Sequence, residues 1–119
     1  MKSKVFLLVF LLLFASVLCG FDWRSLTDSD LRRWSDAIDV ELDRISKDAP
    51  PSKRNGYYWY LYGTMKISAY CVRERIIFQA QSQLERAITA CNGIFGEDEE
   101  KANACIVNIK RLRDGPPFK

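Results

Sequence analysis

Histidine is absent from this 119-residue chain. Its absence excludes Ser–His and Cys–His nucleophilic sites built from this chain alone, and histidine metal sites with them. There is no glycine-rich phosphate loop either. No long basic run is present, so nucleic acid and anionic membrane are not expected as partners. No motif implies a cofactor, and an enzyme is the least expected class. A second long apolar segment is also lacking. The single apolar run, Val5 to Phe14, is shorter than the roughly 20 residues a membrane span requires.

That run has another meaning. Lys2 and Lys4 flank it, and small or neutral residues follow it up to Gly20, which is the pattern of a secretory signal peptide. The expected organisation is a leader over 1–20 and one domain over 21–119, exported to the extracellular space. Cleavage removes two of the 18 basic residues and none of the 15 acidic ones, so the formal charge falls from +3 to about +1. About 100 residues then remain, enough for one modest core.

Cleavage near Gly20 leaves Cys71, Cys91 and Cys105, an odd number for an exported chain. A bridge between Cys91 and Cys105 is predicted, because each lies at the end or start of an element and a short, glycine-containing stretch separates them. Closing such a loop stabilises by about 3 kcal/mol in the chain-entropy model. Cys71 is left as a buried thiol or as a link to a second chain. The cysteine spacing is not a zinc pattern. The acidic stretch Gly96-Glu-Asp-Glu-Glu100 lacks the alternating ligands of a calcium loop and reads as part of a solvated loop from Asn92 to Glu100.

The most secure element is a helix over about 28–48. Leu31, Trp34, Ile38, Leu42 and Ile45 step by three or four, while Arg32, Arg33, Asp36, Asp39, Asp43 and Arg44 take the other faces. Thr27 is a natural N-cap with Asp30 three residues on, and Pro50-Pro51 ends the element. The connector 49–56 is rich in turn residues.

The stretch from Tyr57 to Cys91 alternates. Tyr57, Trp59, Leu61, Gly63, Met65, Ile67, Ala69 and Cys71 share one parity, and Ile76, Phe78, Ala80, Ser82, Leu84, Ile88 and Ala90 share one in the second half. That period of two predicts an antiparallel hairpin turning through Val72-Arg73-Glu74-Arg75, with the even-numbered tyrosines on the outer side. For 73–92 a helical stripe of Ile77, Ala80, Leu84, Ala87, Ile88 and Cys91, stopping at Asn92-Gly93, fits as well. Residues 102–112 are similarly open, since Ala102, Cys105, Ile109 and Leu112 fit a helix while Cys105-Ile-Val-Asn-Ile is β-prone. The expected fold is α+β, one N-terminal helix packed on an antiparallel sheet. The alternative is an all-α disulfide-bridged helical bundle.

The order of parts resembles the cystatin superfamily, which includes cystatins, cathelicidin pro-domains and chemerin-like proteins. Leu31 to Ile38 lies where that family has its long helix, and Gly20 precedes it by about ten residues. Phe78 to Cys91 resembles the strand ending in Thr-x-Cys, and Cys105-Ile-Val-Asn-Ile resembles a later strand. The resemblance implies a secreted inhibitor of papain-type cysteine proteases, touching the enzyme through Phe21 and Trp23 of the arm and Arg73, Glu74 and Arg75 of the hairpin tip. The family's Gln-x-Val-x-Gly tip and Pro-Trp hairpin are missing here, and the cysteine pattern differs. Two further functions stay open: a non-inhibitory secreted defence or signalling protein of that type, or a small all-helical disulfide-linked secreted ligand. In each case the expected partner is a protein, either a cysteine protease or a receptor, with a dimer through Cys71 as one form.

Overall fold

A computed structural model describes residues 23–116. The signal-peptide and arm expectations for residues 1–22, Phe21 included, lie outside the described residues.

The chain is all-helical over the described residues, and the α+β expectation is overturned. Four α-helices follow one another: α1 (Asp28–Asp48), α2 (Gly56–Arg73), α3 (Ile77–Phe95) and α4 (Glu99–Asp114). Among the described residues there is no strand, so neither the antiparallel sheet nor the hairpin of a cystatin-like domain exists there.

α1 is set by local chemistry. The Thr27 hydroxyl accepts from the Asp30 N–H at 3.1 Å while the Asp30 carboxylate accepts from the Thr27 N–H at 3.0 Å, satisfying two donors that a helix start leaves open. Leu31, Trp34, Ile38, Leu42 and Ile45 are all buried, as their spacing predicts. At the other end, Arg54 donates to the carbonyls of Ala49 and Ser46, covering acceptors of the last turn.

α2 replaces the predicted strand. Asn55 caps it by accepting from the Tyr58 N–H at 3.1 Å. Its buried residues are Tyr58, Leu61, Thr64, Met65, Ser68, Ala69, Cys71 and Val72, which step by three and four and draw on both parities of the strand expectation. Alternation failed because aromatic and small residues surround this helix, so a period of two could be read off a segment whose burial has period 3.6. Ser68 donates to the Ala80 carbonyl at 2.8 Å and Thr64 to the Leu61 carbonyl at 2.9 Å. No buried side-chain N or O among the described residues lacks a partner.

α3 buries Ala80, Leu84, Ala87, Ala90, Cys91 and Phe95, close to the helical stripe read from the sequence. The helix runs past the expected stop at Asn92-Gly93 to Phe95. The expected solvated loop shrinks accordingly to the link 96–98. Its acids do other work: the Asp98 carboxylate accepts from the Lys101 N–H at 3.1 Å, and Glu99 and Glu100 occupy the first turn of α4, where the helix dipole favours negative charge. α4 buries Ala102, Cys105, Ile109 and Leu112.

Short links at 74–76 and 96–98 make α2, α3 and α4 antiparallel neighbours. α1 packs on α2 and also on α4, closing the ring of helices. Trp34 lies at that closure, fully buried, with its indole N–H donating to the Leu112 carbonyl at 2.8 Å. The Cys91–Cys105 bridge joins α3 to α4 with the Cα atoms 5.9 Å apart. Cys71 is a free, buried thiol, and burial pushes its pKa up, so it is held protonated.

Candidate functional site

The end of the bundle where α2 turns into α3 carries the only non-glycine residue with positive φ among the described residues, Arg75 at +62°. Its position explains the angle. The Ile76 N–H donates to the Cys71 carbonyl at 2.8 Å and the Arg75 N–H to the Val72 carbonyl at 3.1 Å, the paired bonds that close a helix around a left-handed residue. Glycine usually fills that position because a Cβ is disfavoured there.

Arginine is held there by its side chain. One guanidinium nitrogen donates to the Leu26 carbonyl at 3.0 Å and the other to the Asp28 carboxylate at 2.7 Å. The α2–α3 turn is thereby tied to the start of α1. Arg73, two residues earlier, donates to the buried Ser35 hydroxyl at 2.8 Å and lies 3.6 Å from the Asp39 carboxylate. Lys66 approaches the same carboxylate at 4.0 Å. The Asp28 pair is exposed and contributes little in Coulomb energy, about 0–1 kcal/mol. Its value is geometric, since it fixes where the turn points.

Beside the clamp is a small cavity of about 240 Å³ lined by Arg24, Leu31, Arg75 and Ile77. Outward of it, Glu74 and Ile76 face water, and Phe78 is 84% exposed. The strand parity had put Ile76 and Phe78 on a buried face, so this is a second correction. The first turn of α3 instead packs through Ile77 and Ala80. Asp30, just inside α1, has its pKa lowered by the Thr27 backbone N–H first and by Arg33 second.

Of the contact residues named from sequence, Arg73, Glu74 and Arg75 all lie in this turn or at its edge. Trp23 opens a 3-10 turn, Trp23–Ser25, just before Leu26, the residue whose carbonyl Arg75 holds. Residues 23–26 and the α2–α3 turn therefore meet at one end of a helical bundle, with no sheet edge among the described residues. Both arginines are already engaged within the chain. Phe78 was not among the residues named from sequence, although a phenylalanine on the polar side of the alternative helical stripe signalled its exposure.

Among the described residues, no group of three acidic or cysteine side chains is placed to hold a metal ion, and no helix is long and apolar enough to cross a membrane. No protein-family model, curated protein or solved structure matches the chain.

Proposed function

We propose that the protein is a small secreted helical ligand that acts by docking the α2–α3 turn onto a protein partner. Export is supported by the leader pattern at Lys2 to Gly20 and by the Cys91–Cys105 bridge, which suits an oxidising compartment. The observation that carries the contact is Phe78, left exposed beside a turn that Arg75 locks to α1. A rigidly presented aromatic side chain is the type of residue that dominates binding energy, because little freedom is lost when it enters a pocket.

The test is saturable binding of the labelled protein to intact cells, competed by unlabelled protein. Phe78→Ala should weaken it about 10- to 30-fold with unchanged circular dichroism, the loss of about 1.4–2 kcal/mol expected of an anchor. Equal binding by Phe78→Ala would overturn the docking site. Retention of the protein inside the producing cell would overturn the secreted ligand.

A further inference from the structure

The outer face of α2 presents a second feature that the proposed ligand contact does not use. Tyr60, Gly63, Ile67 and Tyr70 follow one another by three or four residues, a single stripe along the helix, with Trp59 beside it. Gly63 is half-buried and the others are exposed: 55% at Trp59, 48% at Tyr60, 49% at Ile67 and 56% at Tyr70. The stripe carries no charge of its own. Lys66 at its edge is engaged, 4.0 Å from Asp39 and 5.8 Å from the Tyr62 ring centre. At one end the stripe opens into an apolar groove of about 550 Å³ lined by Asn55, Gly56, Tyr57, Tyr60, Thr89 and Ala90. The groove is held open from behind, as Asn55 donates to the Gly93 carbonyl at 3.0 Å and the Tyr57 ring lies where a Cβ on Gly93 would be.

We infer that this face is the interface of a homodimer, covered by α2 of a second copy running antiparallel. Three features favour that occupant. The stripe is self-complementary about a two-fold axis between Gly63 and Ile67, which sets Tyr60 against the partner's Tyr70 and Ile67 over the partner's Gly63. Gly63 offers the gap this needs, for nothing lies within 4 Å of where its Cβ would stand. The same symmetry brings the Tyr70 end of each copy toward the groove of the other. The area also suffices. A fully buried aromatic accounts for about 150–250 Å²; with about half of each still exposed, Tyr57, Trp59, Tyr60 and Tyr70 together with Ile67 supply about 500 Å² per copy. Two copies then bury about 1,000 Å², the level a specific interface has to reach. An uncharged aromatic face suits an equally uncharged partner, and its own copy is one.

The inference is tested by sedimentation equilibrium of the purified, bridged protein from about 1 to 100 μM, a range that brackets micromolar association. The expected result is a reversible dimer of twice the single-chain mass, unchanged in Cys71→Ser. Ile67→Glu and Gly63→Leu, one placing a charge on the seam and one filling its gap, should each raise the dissociation constant at least about tenfold. Both should leave the monomer's circular dichroism unchanged. A monomer at 100 μM would overturn the inference. So would a dimer indifferent to both substitutions, or a covalent dimer abolished by Cys71→Ser. Flotation of monomer with phosphatidylserine–phosphatidylcholine vesicles, lost in Ile67→Glu, would give the face to a lipid surface instead. Because Phe78 is not on the stripe, Phe78→Ala should dimerise normally, which separates this interface from the ligand contact.

Discussion

α1 and α2 are neighbours in the bundle, but their outer faces differ in kind. The outer face of α1 is laced with ion pairs within the helix: Arg33 with Asp30, Arg44 with Glu41 and Asp48, and Lys47 with Asp43. Water completes such a face. The outer face of α2 is aromatic, and from Ala49 to Arg73 there are four basic residues and no acidic one. Water solvates that face poorly. The difference teaches that an outer face can be finished in two ways: α1 hands its own to water through paired charges, whereas α2 leaves aromatic surface uncovered, the face we infer to meet a second copy.

The largest effect that would sharpen this comparison is the contrast between two tryptophans. Trp34→Ala empties a fully buried site and strands the Leu112 carbonyl, and should cost about 3–5 kcal/mol in a denaturant titration. Trp59→Ala, on the open face of α2, should cost less than about 0.5 kcal/mol at concentrations where the protein is monomeric. Equal losses would break the distinction between an inner and an outer aromatic set.

Next come the cysteines. Removing the α3–α4 bridge with Cys91→Ser and Cys105→Ser should cost about 3 kcal/mol. Cys71→Ser should cost about 1–3 kcal/mol for placing a hydroxyl where a thiol is buried. Thermal unfolding of the two variants, with and without reductant, measures both. Reductant should abolish only the difference due to the bridge.

Two glycines should then move stability in opposite directions. Gly93→Ala drives a Cβ to 2.3 Å from the Tyr57 ring and should cost about 1–3 kcal/mol, because the ring has to leave its place over α3. Gly63→Ala meets nothing and should stabilise the monomer by up to about 1 kcal/mol through helix propensity. Urea midpoints of the two variants at low protein concentration compare them directly.

The smallest effect concerns pH. The folded Asp30 carboxyl titrates below its ordinary value of 3.8, because the Thr27 N–H and Arg33 favour its charged form. Its contribution is therefore fully present above that value and is lost as pH falls through the lower, folded one. Melting temperature followed downward through acid should drop less steeply in Asp30→Ala than in the unaltered protein.

Legibility followed how far each interaction reaches along the chain. The capping box, the apolar stripe of α1 and its proline stop rest on residues a few positions apart, and they read correctly. So did the Cys91–Cys105 pairing, since both cysteines flank one short link. The stripe Ala102, Cys105, Ile109 and Leu112 was seen as one of two options and proved to be the buried face of α4. α2 was missed because Tyr-Tyr-Trp-Tyr-Leu-Tyr is apolar on every side and suits a pleated strand as well as a helix. The Asn55 cap was the local signal that could have favoured the helix. The partners of Arg73 and Arg75 lay far away in sequence, at Ser35 and Asp28, so two structural clamps looked like free charges.

The sequence by itself determined the boundaries and inward face of α1 and the place of the bridge. These follow from hydrogen bonds and periodicities confined to a turn or two of chain. Tertiary structure decided that 57–72 is a helix and which of its aromatics face water. A segment apolar all round has no preferred side until α1 and α3 pack against it, and burying Tyr58, Leu61 and Met65 between them leaves Trp59, Tyr60 and Tyr70 outside.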